Sequence, residues 1–195
     1  PIVSEVAADR DPYKVLISCV LSLRTKDEVT KKASLKLFDR ADTAHKMINL
    51  KESEIEKLIY PVGFYKTKAK RIIEMSHKIL DEYGGKVPDT IDELLKLNGV
   101  GRKTANIVLD HAFSKTEGIA VDTHVRRISM RLGLTDYSEP NRIETDLTCI
   151  FPQYMWGEIN GLFILHGRRV CTARRPSCSI CNLSDICRYY RENCE

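Results

Sequence analysis

Lys103 stands directly behind a two-glycine turn, in the stretch Leu97-Asn98-Gly99-Val100-Gly101-Arg102-Lys103-Thr104-Ala105. Lysine is a nucleophile only as its neutral amine, and the positive end of a helix dipole favours that form over the ammonium. Glycines in such a turn permit positive φ and close approach by another backbone. The free N–H groups at the next helix start suit an anion, for which phosphate is the natural guest. The same spacing also fits a plain connector with an exposed charge. Asp122, ahead of Thr123-His124-Val125, is the second candidate. Aspartate is a favoured N-cap, and a carboxylate accepting backbone N–H bonds stays ionised. Facing a pocket, it can also stabilise a developing cation or take a proton from an amine.

The third group is Cys171, Cys178, Cys181 and Cys187, spaced C-x6-C-x2-C-x5-C in a segment with too few apolar residues to fold by itself. Zinc is the usual guest of four cysteines, but its usual pattern pairs two CxxC knuckles. One knuckle flanked by single cysteines favours a [4Fe–4S] cluster. Arg174 and Arg175, inside the first cysteine loop, would then form a rigid basic finger suited to phosphate. Cys194 is close enough in sequence to compete as a ligand, whereas Cys19 and Cys149, in apolar surroundings, read as inert core residues.

The elements that must position these groups are helical. Asp11-Pro12 starts a helix that is apolar nearly all round from Val15 to Leu23, and Thr25 or Asp27 caps the next. Pro61-Val62-Gly63-Phe64-Tyr65 interrupts the pattern and sets two aromatics beside Lys66, Lys68, Lys70 and Arg71. Asp89 is expected to cap a short helix before the glycine turn. Beyond the turn, Ala105, Val108, Leu109, Ala112 and Phe113 line one helix face. Further helices follow from Asp122, from Asn141 and from Trp156, with strand-like alternation nearly absent.

A net charge of +4 is compatible with a polyanionic partner without establishing one. The bases gather at 66–71, at Arg126, Arg127 and Arg131, and at Arg168, Arg169, Arg174 and Arg175. No apolar run is long enough to span a bilayer, and an intracellular protein without a leader is expected. Seven cysteines, an odd number, then argue for metal over disulfides.

With these residues collected, the chain resembles the endonuclease III family of DNA glycosylases in the helix-hairpin-helix superfamily, over roughly 11–187. The matching parts are Val20-Leu21-Ser22-Leu23-Arg24-Thr25-Lys26-Asp27, Gly63-Phe64-Tyr65, 97–105, Val121-Asp122-Thr123-His124, Leu165-His166-Gly167-Arg168 and the four-cysteine loop. The resemblance implies an all-α, two-lobed fold. A six-helix bundle over 11–115 would end in the hairpin, and a second lobe would combine 1–10 with 116–195 and carry the cluster loop at 171–187. It also implies a monomer at the cytoplasmic nucleoid with no membrane partner. Its substrate would be double-stranded DNA containing damaged pyrimidines or abasic sites.

The implied activity is excision of oxidised or ring-saturated pyrimidines, then strand cleavage at the abasic site. Lys103 would be the nucleophile and Asp122 the essential carboxylate. Gly99, Val100 and Gly101 would give N–H bonds to a phosphate, with a monovalent cation at the hairpin carbonyls. Arg24 and Phe64 would enter the gap left by an extruded nucleotide. Two residues depart from the family pattern: Arg24 where many members have glutamine, and Asn98 where proline is usual. The rivals are a mismatch-specific adenine or thymine glycosylase, which typically lacks the lysine and uses water, and a non-catalytic hairpin module with structural zinc.

Overall fold

The structure is a computed structural model that describes residues 10–193. The described residues contain no strand and divide into two units between Lys115 and Thr116.

The first unit is built round α1 (Pro12–Ser22). Asp11 accepts the Lys14 N–H at 2.9 Å and Pro12 supplies the preset φ of a first helical residue, so the start is where the sequence places it. Every residue from Val15 to Leu21 is buried, leaving α1 with no solvent face along that run. At about 1.5–3 kcal/mol per buried large apolar side chain, it is the main source of packing energy here. Around it lie α2 (Asp27–Arg40), α3 (Ala44–Met47), α4 (Glu52–Ile59), α5 (Tyr65–Tyr83), α6 (Ile91–Leu95) and α7 (Arg102–Phe113). Helix α7 packs on α1 through Ala105, Val108 and Leu109, the buried stripe its periodicity predicts.

The second unit holds α8 (Thr123–Leu132), α9 (Pro140–Ile150), α10 (Trp156–Arg169) and α11 (Arg188–Asn193), with three short 3-10 turns. Its core is small: Ile119, Val121, Val125, Ile143, Leu147 and Ile159. Asn160 on α10 donates to Ala120 O at 2.7 Å and so fixes the segment leading into Asp122.

Three local expectations are corrected. Thr90, not Asp89, occupies the cap position of α6, because the Asp89 carboxylate is held by Lys115 at 2.5 Å. Lys26 precedes α2 without a side-chain cap, since Thr25 is engaged elsewhere. Cys149 is exposed rather than a core residue, whereas Cys19 is buried as expected. The expectations for residues 1–9 and for Cys194 fall outside the described residues.

Candidate functional site

The hairpin turn between α6 and α7 distinguishes its two glycines. Gly99 has φ +88°, a conformation side chains rarely adopt. Gly101 has φ −100°, and a Cβ there would meet nothing within 4 Å, so the fold itself does not require glycine at 101. The Val100 N–H closes the turn onto Leu97 O at 3.1 Å, and Val100 is 7% exposed. Val100 is therefore a turn-closing residue. Asn98, the departure from the family pattern, donates from Nδ2 to Glu74 Oε2 on α5 at 2.8 Å. This bond restrains the turn from outside, where a proline would restrain it from within.

Lys103 lies in the first turn of α7, half-buried. It is close enough to Cys19 on α1 for its charge to oppose the effect of burial, which still pushes that thiol up to about 12.

Arg24 and Phe64 come together although 40 residues apart, with the guanidinium 5.5 Å from the ring centre and Phe64 62% exposed. Both sit at positive φ, 53° and 58°, strain of order 1–3 kcal/mol for each non-glycine residue. The supports are visible. The Gly63 N–H donates to Thr25 Oγ1 at 3.1 Å, and a Cβ on Gly63 would stand 2.5 Å from Arg24 O, so only glycine allows this approach. Lys68, 4% exposed, turns its ammonium inward to Leu21 O at 2.8 Å and Leu23 O at 2.5 Å. Burial chiefly, then the charge of Arg71, depress its pKa to about 8. In sequence Lys68 is one of the bases gathered at 66–71, and its position one helical turn beyond Phe64 is the signal of its inward role.

In the second unit, Asp122 is the N-cap of α8, its Oδ1 accepting from His124 N at 2.8 Å and Val125 N at 2.9 Å. The cap role is thus real and fixes the carboxylate at the helix start. One turn on, Arg127 donates to Cys171 O from Nε at 3.2 Å and Nη2 at 3.0 Å, to Gly167 O at 3.2 Å, and lies 3.1 Å from His124 Nδ1. Gly167 makes room for this: a Cβ there would sit 2.5 Å from His124 Nδ1 and 2.8 Å from Arg127 Nη2. Arg131 reaches Cys171 Sγ at 3.1 Å, Thr172 O at 2.8 Å and Ala173 O at 2.9 Å. These two arginines, in sequence only members of a basic cluster, grip the cysteine loop. Their i, i+4 spacing on one helix face was the missed signal.

Cys171, Cys178, Cys181 and Cys187 line one cavity, together with His166, whose Nε2 is 3.8 Å from Cys181 Sγ. Among the described residues, no three Cys, His, Asp or Glu side chains close on a single-ion site. Four cysteines lining one cavity are the donor set of a [4Fe–4S] cluster. Arg174 and Arg175 are exposed on the loop between Cys171 and Cys178.

Comparison with known proteins agrees with this geometry. The family model described as HhH-GPD superfamily base excision DNA repair protein matches residues 17–153, and that for the iron-sulfur binding domain of endonuclease III matches 171–187. Endonuclease III of Thermotoga maritima is 48% identical over 183 residues, covering 94% of this chain and 85% of the relative. A solved trapped endonuclease III–DNA covalent intermediate is similar at TM-score 0.87 and 36% identity, covering 97% of this chain and 92% of that one. A thermostable thymine-DNA glycosylase is similar at TM-score 0.83 and 28% identity, covering 94% and 86%.

Proposed function

Because the chain belongs to the endonuclease III family of the HhH-GPD base excision DNA repair proteins, we propose that its DNA glycosylase and abasic-site lyase activity runs through Lys103 and Asp122. The observation that carries this reading is the placement of Lys103, half-buried in the first turn of α7 immediately behind the Gly99–Gly101 turn.

The substrate is double-stranded DNA, and the lesions are oxidised or ring-saturated pyrimidines. The damaged nucleotide must leave the stack, since its sugar carbon is out of reach inside a duplex. The Lys103 amine attacks C1′, the base departs, and the resulting Schiff base undergoes β-elimination that breaks the 3′ phosphodiester bond. Asp122 stabilises the cationic sugar and helps deprotonate the lysine. Arg24 and Phe64 fill the vacated gap. The amides at Gly99 and Gly101 hold a phosphate, with the open face at Gly101 supporting its close approach, and a monovalent cation sits on the hairpin carbonyls.

The protein carries a [4Fe–4S] cluster, and we assign Cys171, Cys178, Cys181 and Cys187 as its ligands. When bound, it folds the loop that presents Arg174 and Arg175 to the DNA backbone. No helix among the described residues is long and apolar enough to cross a membrane. The enzyme is proposed to act as a monomer at the nucleoid.

Borohydride reduction during reaction with abasic-site DNA tests the assignment. A covalent protein–DNA adduct is expected, and Lys103→Ala should abolish it. An undiminished adduct in the variant would remove Lys103 from the mechanism, and none in the parent protein would remove the imine route.

A further inference from the structure

Of the four bases at 66–71, three have evident dispositions. Lys68 is buried with its ammonium turned inward. Lys70 faces Glu74, Nζ 3.9 Å from Oε1, and Lys66 is exposed outside the concavity beside Phe64. Arg71 differs from all of these. It lines that concavity with Val20, Leu23, Arg24, Phe64 and Thr67, and its side chain also lies along the hairpin turn. A Cβ at Gly99 would stand 3.2 Å from Arg71 Cδ and 3.5 Å from its Nη1. Among the described residues, no carboxylate or carbonyl takes a hydrogen bond or ion pair from this guanidinium.

We propose that Arg71 is a DNA-binding residue whose guanidinium takes one backbone phosphate at the junction of the Gly99 turn and the Arg24–Phe64 stack. The inference deepens the DNA-repair reading above and rests on it. Three features select a phosphate. A guanidinium presents a planar fork of donors that matches phosphate oxygens. It stands beside a turn whose glycine amides favour an anion. The charge of Arg71 also bears on the buried Lys68, whose pKa it helps to depress, so two cations share this side of the unit and an anion relieves their repulsion.

The consequence is a shared register. Arg71 shares one concavity with the Arg24–Phe64 pair and, on its other side, lies along the turn that leads in four residues to Lys103. A phosphate held there fixes the DNA relative to both. Residue 99 is then glycine for two reasons, its positive φ and the room it leaves for the arginine.

The test uses the intact holoprotein and a duplex carrying a non-reactive tetrahydrofuran abasic analogue. In a salt titration of affinity, Arg71→Ala is expected to bind roughly tenfold more weakly at 0.1 M salt, with a log–log slope smaller by about one. Arg71→Lys should recover the slope but only part of the affinity. In a scan of single neutral methylphosphonate replacements, one position should weaken the parent several-fold and leave Arg71→Ala indifferent. That comparison is internal to each protein and does not depend on how much of a variant folds. An unchanged slope, or equal costs in both proteins at every position, overturns the proposal. Failure of the parent to trap abasic DNA with borohydride overturns the underlying reading instead, so the two failures are distinguishable.

Discussion

Lys68 shows how far a residue's role can depart from its type. Its buried ammonium donates to two carbonyls at the C-terminal end of α1, Leu21 O and Leu23 O, and to Thr25 Oγ1 at 3.3 Å, and the same contacts hold the strained segment carrying Arg24. The cost is desolvation, visible as a pKa of about 8 against an ordinary 10.5. Between those values the unfolded chain keeps a proton that the folded chain has released, so folding gains stability as pH rises through the window. Below pH 8 both states are protonated and the penalty is constant. Lys68→Met removes this dependence. The stability of the parent relative to the variant should therefore rise by about 1–3 kcal/mol between pH 8 and 10.5 in urea unfolding. A difference flat across that range would show that Lys68 is not desolvated in solution. None of this was legible in the sequence, where Lys68 is one of four neighbouring bases and its carbonyl partners lie 45 and 47 residues away. Asp122 was legible, because an N-cap depends only on the residues that follow it.

At the scale of elements, periodicity and cap chemistry located the helices because both are local. The first helix, its Asp11–Pro12 start and the buried stripe of α7 follow from spacing alone. The two misread caps share one cause, a side chain captured from afar: Asp89 by Lys115, and Thr25 by the Gly63 amide. Asn98 belongs to the same class. Its amide ties the hairpin to Glu74 on α5, a partner that could not be inferred from the turn itself. Since both groups are exposed, a modest coupling of about 0.5–1 kcal/mol is expected in a double-mutant cycle of Asn98→Ala and Glu74→Ala, measured by urea unfolding. Each single variant should also speed hydrogen exchange at the Val100 amide that closes the turn. Additive stabilities with unchanged exchange would mean that the turn holds without the tether.

The two units of the molecule do not share stability equally. Among the described residues, the first has 27 buried apolar residues and the second eight, for a segment of about eighty residues. What the second unit lacks in apolar burial it replaces with polar ties converging on the cysteine loop. Arg127 and Arg131 bind the carbonyls of 171–173, and Arg188 reaches Met130 O at 3.1 Å and Asp136 at 2.6 Å. These donors restrain the loop only while it keeps its shape, and without the cluster the four thiols supply no such constraint. Removing the cluster should therefore unfold the second unit ahead of the first. The apoprotein is expected to show a separate transition, more than about 10 °C below the holoprotein's, with early proteolysis beyond residue 116 and most of the first unit's helical signal retained. A single transition at the holoprotein temperature would mean that the arginine ties and the small apolar core suffice alone. In that case the cluster would have to be explained by something other than folding.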